Sequence, residues 1–108
     1  MNQPDVLIAF STVPDAESAA RIAHALVDER LSACVQRVPG LASTYCWQGA
    51  VHEDAEVLLI IKTTRARLPA LEARLLELHP YELPELIAVE AAAGSDAYLD
   101  WVRSSCGD

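Results

Sequence analysis

The sequence of 108 residues has little glycine, few aromatic residues and far fewer basic than acidic side chains. Its four glycines form no Gly-rich phosphate-binding loop, and there is no G-x-S-x-G motif for a serine nucleophile. With 16 acidic against 8 basic residues the net charge is -8, which argues against binding to a nucleic-acid backbone. We therefore expect neither an enzyme nor a nucleic-acid partner.

Cysteine is scarce, and long apolar runs are absent. Cys34, Cys46 and Cys106 are an odd, widely spaced set, which predicts neither a disulfide framework nor a zinc site. No apolar run reaches ~18 residues and no basic segment precedes one, so we expect no membrane partner and a cytoplasmic location. The apolar fraction of 52% suits one folded domain over residues 1–108.

Five segments have the composition of strands. Pro39 and Gly40 separate two of them and predict a kink or bulge within a single strand, and Gly49 predicts a hairpin turn with positive φ. Together these features indicate four strands, of which the middle two form a long hairpin. The segments are Val6–Thr12, Ala33–Val38, Ser43–Trp47, Val51–Thr63 and Leu86–Val89.

Three segments have helical periodicity. The first follows Asp15, a predicted N-cap, and repeats apolar residues at spacings of three and four, among them Ala16, Ala20 and Ala23. The third covers residues 97–105, with Tyr98, Trp101 and Val102 expected on one apolar face. The second begins near Arg67, ends at His79-Pro80 and carries a leucine stripe at Leu68, Leu71, Leu75 and Leu78.

The element order β-α-β-β-α-β-α predicts an α+β fold of the ferredoxin-like, split βαβ type. Its four-stranded antiparallel sheet would carry both long helices on one face, with a β2–β3 hairpin longer than the sheet requires. The other face would be bare, and an uncovered apolar sheet aggregates. We therefore expect a homo-oligomer.

Two other protein classes with this fold have sequence features that this chain lacks. Acylphosphatases place a Gly-rich, Arg-bearing loop after the first strand, where this chain has residues 11–15 with neither. RNA-recognition domains need aromatic residues on their central strands, and here Phe10 is the only one.

Residues 79–85, His-Pro-Tyr-Glu-Leu-Pro-Glu, hold the densest set of candidate groups and are called the connector below. Its two prolines end the second helix and set the direction of the last strand. His79 is the candidate ligand for a divalent metal, with Glu82 and Glu85 as secondary candidates. A structural role for His79 at the helix end is the alternative, because no His or Cys lies three or four residues away.

A second hypothesis is a binding or signalling module of the PII kind, in which a cleft between subunits holds a small anionic metabolite or a protein partner. Lys62 stands out at the end of an apolar strand, where it would bind an anion or pair with Glu85 or Glu90. The candidate cleft residues are Lys62, Tyr81, Glu85 and Trp101.

Six motifs, in order along nearly the whole chain, are similar to those of the CutA family, the divalent-cation tolerance proteins. Each motif is weak alone, but the ordered set is specific. The motifs are residues 11–15, 33–40, 43–49, 61–64, 79–87 and 98–101.

The resemblance implies a ferredoxin-like subunit in a homotrimer, similar in architecture to the PII proteins, with no enzymatic activity and no organic cofactor. It also implies a role in tolerance of divalent metals, copper especially. Copper-associated members have a Cys at the end of strand one and two His before Pro-Tyr. Those positions are Ser11 and Leu78-His79 here, so only His79 carries over and weak Cu²⁺ binding is expected.

Overall fold

The computed structural model describes residues 4–107 and has the predicted element order. The predicted α+β, ferredoxin-like class is confirmed. No helix in the described range is long and apolar enough to cross a membrane. The elements are β1 (Val6–Val13), α1 (Ala16–Asp28), β2 (Cys34–Trp47), β3 (Ala50–Thr64), α2 (Leu68–Leu78), β4 (Ile87–Glu90) and α3 (Asp96–Ser105).

The four strands form one antiparallel sheet in the order β2-β3-β1-β4. β1 lies in the centre, and its Ala9 is paired with Ile61 of β3 and Ala88 of β4. Because side chains alternate along a strand, this register places one set of residues toward the helices and the other set on the opposite face.

The core lies between the sheet and helices α1 and α2. Leu71 and Leu75 of the predicted leucine stripe are fully buried, whereas Leu76 is 54% exposed. On α1 the predicted stripe was partly wrong, since Ala16 faces solvent. The buried residues of α1 are Ser18, Ala19, Ile22, Ala23 and Leu26.

Helix α3 packs at the end of the sheet where β1 begins, through Val102, Val6 and Ala33. The predicted apolar face of α3 was partly wrong: Val102 is fully buried, but Tyr98 and Trp101 are 44% and 46% exposed. Their rings contact each other, with centroids 5.5 Å apart, and lie outside the core.

Local signals in the sequence account for how the helices begin. Asp15 is the predicted N-cap of α1, and its Oδ1 accepts the Ser18 backbone N–H at 2.7 Å. α2 begins at Leu68. Its N-cap residue Arg67 makes no side-chain capping bond, and Pro69 occupies the first turn, where its missing N–H leaves no bond unmade.

The β2–β3 hairpin is longer than the sheet. Its register shifts between Val38 and Leu41, which confirms the bulge predicted at Pro39 and Gly40. Gly49 has the predicted positive φ, 81°. Residues 41–47 and 50–56 pair only with each other, because β1 pairs with β3 from Val57 onward. We call this projecting part, residues 41–56, the arm.

Candidate functional site

The connector is held against β1 by the imidazole of His79, which is 7% exposed. Nδ1 of His79 accepts the backbone N–H of Tyr81 at 3.1 Å, so Nδ1 carries no proton. Nε2 therefore carries the proton and donates it to the Thr12 carbonyl oxygen at 2.7 Å. Both ring nitrogens of His79 therefore form hydrogen bonds within the subunit.

This arrangement speaks against the prediction that His79 is a metal ligand. An imidazole binds a metal through an unprotonated nitrogen, and here that nitrogen, Nδ1, holds the N–H of Tyr81. The structural alternative explains what the imidazole does: it joins the end of α2 to the end of β1. Its bonds then fix where the rest of the connector begins.

Tyr81 extends the same network toward the arm. Its ring lies 4.8 Å from the His79 ring, centroid to centroid, and its hydroxyl donates to Glu56 Oε2 at 2.7 Å. Burial and the Glu56 carboxylate raise the pKa of Tyr81 above its usual range, because both disfavour a phenolate. At neutral pH Tyr81 is thus a fixed hydrogen-bond donor.

A groove lies where the base of the arm meets the connector. It consists of two cavities of about 210 and 410 Å³ that share the walls Tyr45, Trp47, Tyr81 and Leu83. The carboxylates on its walls are Glu56, Glu82 and Glu85.

The groove is acidic and aromatic, and among residues 4–107 no Lys, Arg or His lines either cavity. The Tyr45 hydroxyl bonds to Asp54, whose carboxylate raises the pKa of Tyr45, and the Tyr45 ring stacks on His52. These contacts fix one aromatic wall. Chemically, the groove suits a positively charged ligand.

The secondary candidates for metal binding, Glu82 and Glu85, lie on this groove and are exposed. Within residues 4–107 no group of three His, Cys, Asp or Glu side chains is placed to hold a metal ion. A single subunit therefore presents carboxylate oxygens at the groove mouth, without a closed coordination site.

The four candidate cleft residues are not together in one subunit. Tyr81 and Glu85 share the groove, but Lys62 and Trp101 line neither of its cavities. Lys62 donates to Gln36 Oε1 at 2.6 Å and pairs with neither Glu85 nor Glu90, which corrects that prediction. Glu90 pairs with Arg65.

Ser11, where the family resemblance implies a Cys in copper-associated members, is fully buried. It alternates with Ala9 and Val13 on the helix-covered face of the sheet. Its Oγ has no hydrogen-bond partner within the described part of the chain. Ser11 therefore contributes nothing to the groove.

A larger cavity of about 730 Å³ lies at the other end of the sheet, between the start of β1 and α3. Its two charged side chains, Asp5 and Arg103, bond to each other at 2.9 Å. The carboxylates of the groove, by contrast, form no ion pair within residues 4–107, so we take the groove as the candidate site.

The sequence prediction missed several groove residues, among them Tyr45, Trp47 and Glu56. Tyr45 and Trp47 are two residues apart, which puts both rings on one face of the arm. Glu56 belongs to the acidic run of residues 53–56, and only the hairpin register sets it apart from its neighbours.

Comparison with known proteins identifies the family. The sequence model described as CutA1 divalent ion tolerance protein matches residues 7–105, almost the whole chain. The chain belongs to the CutA1 family. This confirms the resemblance carried by the six motifs.

Individual CutA proteins match over their full length or over one part. The divalent-cation tolerance protein CutA of Thermus thermophilus is 52% identical over 93% of this chain and 97% of its own length. Its structure superposes with a TM-score of 0.93, covering 94% of this chain and 99% of that one. CutA of Xylella fastidiosa also gives 0.93, at 47% identity, covering 95% and 99%. Human protein CutA is 45% identical over 91% of this chain, which spans about half of that protein (55%).

Proposed function

We propose that this protein is a homotrimeric, non-enzymatic divalent-cation tolerance protein that binds divalent metal weakly, copper included, and takes part in metal homeostasis in the cytoplasm. Membership of the CutA1 family is the observation that carries the proposal. The three free cysteines fit a reducing compartment.

We place weak metal binding at Glu82 and Glu85. Both carboxylates are exposed at the groove mouth, and neither has a hydrogen-bond or ion-pair partner within residues 4–107. Carboxylate oxygens bind hard divalent ions, and two of them without an imidazole give a weak site. The net charge of -8 adds a general attraction for cations.

Calorimetric titration with Cu²⁺ tests this assignment. We expect the double variant Glu82→Gln, Glu85→Gln to lose most of the binding heat. We expect His79→Gln to keep the binding heat, because both nitrogens of the imidazole already form hydrogen bonds, with Thr12 and with Tyr81. The double variant Glu72→Gln, Glu77→Gln on α2 removes the same charge elsewhere and serves as the control.

Two outcomes contradict the assignment. Unchanged heat in the Glu82, Glu85 variant would remove those carboxylates from the site. Loss of the heat in His79→Gln, in a variant that remains folded by circular dichroism, would restore His79 as the ligand.

The exposed sheet face supports the homotrimer. The face opposite the helices carries Val38, Ile87 and Val89, which are 42%, 60% and 45% exposed. The arm exposes both faces, including Val51 at 76%, and a two-stranded hairpin is marginally stable alone. Burial of these surfaces against other copies supplies the missing apolar contact.

Lys62 supports a second candidate, the PII-like module that binds an anionic metabolite or a protein partner. Its ammonium group has no carboxylate partner among residues 4–107 and lies on the sheet face away from the helices. A thermal-shift screen of anionic metabolites tests it: a ligand of this class raises Tm, and Lys62→Ala abolishes the rise. A rise that survives Lys62→Ala contradicts the role of Lys62.

A further inference from the structure

Glu56 is the one buried carboxylate among residues 4–107, at 8% exposure. Within that range its side chain accepts one hydrogen bond, from the Tyr81 hydroxyl, and forms no ion pair. Glu85 lines the same cavity, so the groove adds further negative charge. A carboxylate removed from water needs a counter-ion, and proteins nearly always supply one. One subunit does not hold the cation that Glu56 requires.

Lys62 is the complementary group. It is the only lysine in the sequence, and it is half-buried. Its ammonium group has three N–H donors, of which one is used within residues 4–107, by Gln36 Oε1 at 2.6 Å. It forms no ion pair in that range. Each subunit thus has a buried acid and a half-buried lysine that both lack an opposite charge.

Glu56 and Lys62 lie on the same face of the sheet. On β3 they alternate with Val57, Leu59 and Ile61, which point into the core beneath the helices. Both therefore face away from the helices, toward the surface that the proposed homotrimer covers. The six residues between them span about 20 Å of strand, so the two side chains of one chain cannot meet.

The other basic residues are less well placed to pair with Glu56. Arg37 is the only arginine in the strands of the described chain, and its register partner is Leu59. It therefore faces the helices, where it lines a cavity with α1. The arginines that already have carboxylate partners are Arg65, Arg74 and Arg103. Lys62 of a second copy is thus the cation that best fits the groove.

We propose that Glu56 of one subunit forms an ion pair with Lys62 of a second copy, so that a neighbouring subunit completes the groove. In a closed ring each interface joins two different patches of the chain. Every copy then offers one Glu56 and one Lys62, and neither group is left over. The inference rests on the proposed homotrimer and adds which charged side chains meet in its interface.

A double-mutant cycle, measured by thermal unfolding at one protein concentration, tests the pair. Glu56→Gln keeps an acceptor for the Tyr81 hydroxyl, and Lys62→Met keeps an unbranched side chain, so each variant removes one charge. We expect each single variant to lower Tm by about 4 °C or more, because it leaves the other charge buried and unpaired. The double variant should lower Tm by no more than the larger single loss.

Glu53→Gln combined with Lys62→Met is the matched control. Glu53 lies on the same strand but on its other face, so the two losses should add. The wild-type protein gives an independent readout, because it contains a single lysine. In trimers assembled from subunits with isotopically labelled lysine and unlabelled subunits, we expect a nuclear Overhauser contact between Lys62 and the Tyr81 ring of a different copy.

Additive losses of Tm in the cycle of Glu56 and Lys62, or no contact between Lys62 and Tyr81 of different copies, would overturn the pair. Either result in a protein that sediments as a trimer would leave the homotrimer intact and the Lys62 ammonium available to the anionic ligand of the second candidate function. A wild-type protein that sediments as a monomer would overturn the homotrimer, and this inference with it.

Discussion

At the scale of single residues, His79 and Tyr81 matter as parts of one hydrogen-bond chain. The chain runs from the Thr12 carbonyl through the His79 imidazole to the Tyr81 backbone, and from the Tyr81 hydroxyl to Glu56. It joins the ends of β1 and α2 to the base of the arm. The groove therefore depends on a buried polar network, which is rigid only while each member keeps its partner.

Replacing His79 tests its structural role. His79→Phe keeps the ring but leaves the Thr12 carbonyl and the Tyr81 N–H without their partners, so we expect a loss of about 1–3 kcal/mol in unfolding free energy. His79→Gln, which retains a donor and an acceptor, should lose less. Denaturant unfolding at one protein concentration measures both, and equal stability of His79→Phe and wild type would contradict the role.

The raised pKa of Tyr81 predicts a dependence on alkaline pH. The folded state favours the neutral phenol, so the stability from Tyr81 is complete below the ordinary tyrosine pKa of ~10 and is lost as pH rises above it. Ultraviolet titration of the folded protein should show late ionisation of both Tyr45 and Tyr81, and Tyr81→Phe should remove one of these late steps. A titration in which Tyr81→Phe removes an early step instead would refute this.

Sequence alone identified the connector but not the function of its parts. His79 is visible as an unusual residue at a helix end, but the bond of its Nε2 depends on Thr12, 67 residues away. In the sequence, Glu56 is one of three acidic residues between positions 53 and 56. Its burial follows from the register of the hairpin and the position of Tyr81, neither of which has a local signal.

At the scale of elements, periodicity predicted the buried residues best in the helix that packs one face directly on the sheet. The leucine stripe of α2 was correct at Leu71 and Leu75, because that face meets the sheet directly. On α3 the aromatic residues were expected inside, yet Val102 is buried while Tyr98 and Trp101 are exposed. Hydrophobicity alone does not tell a core residue from one that other molecules contact.

Adjacent leucines on α2 give a matched test of the helix packing. Leu75 is fully buried and Leu76 is 54% exposed. Leu75→Ala should lower the unfolding free energy by about 2–5 kcal/mol, since it leaves a cavity in the core. Leu76→Ala should change it by less than about 0.5 kcal/mol. Similar losses in both variants would mean that α2 faces the sheet differently.

At the scale of the whole molecule, the proposed homotrimer would cover surfaces that one subunit leaves exposed. The sequence indicated this through the length of the hairpin and the absence of an element to cover the second sheet face. The structure adds where the exposed apolar surfaces lie: the arm projects beyond β1, and Val38, Ile87 and Val89 lie on the sheet face away from the helices.

A charged side chain on the sheet face away from the helices should dissociate the proposed oligomer. Ile87→Glu introduces a carboxylate where an apolar contact is expected, and burying it unpaired is strongly unfavourable. We expect this variant to dissociate at micromolar concentration. Val27→Glu is the matched control, because Val27 is 42% exposed on α1, on the other side of the sheet. Dissociation of both variants, or of neither, would contradict the assignment of the interface.

Sedimentation equilibrium of the wild-type protein is the most direct test of the central claim, that this CutA1 subunit is completed by its own copies. The account predicts a single species of three times the subunit mass, maintained on dilution into the low micromolar range. A folded species with the mass of one subunit would contradict it, because the arm and the bare sheet face would then be stable in water without a partner.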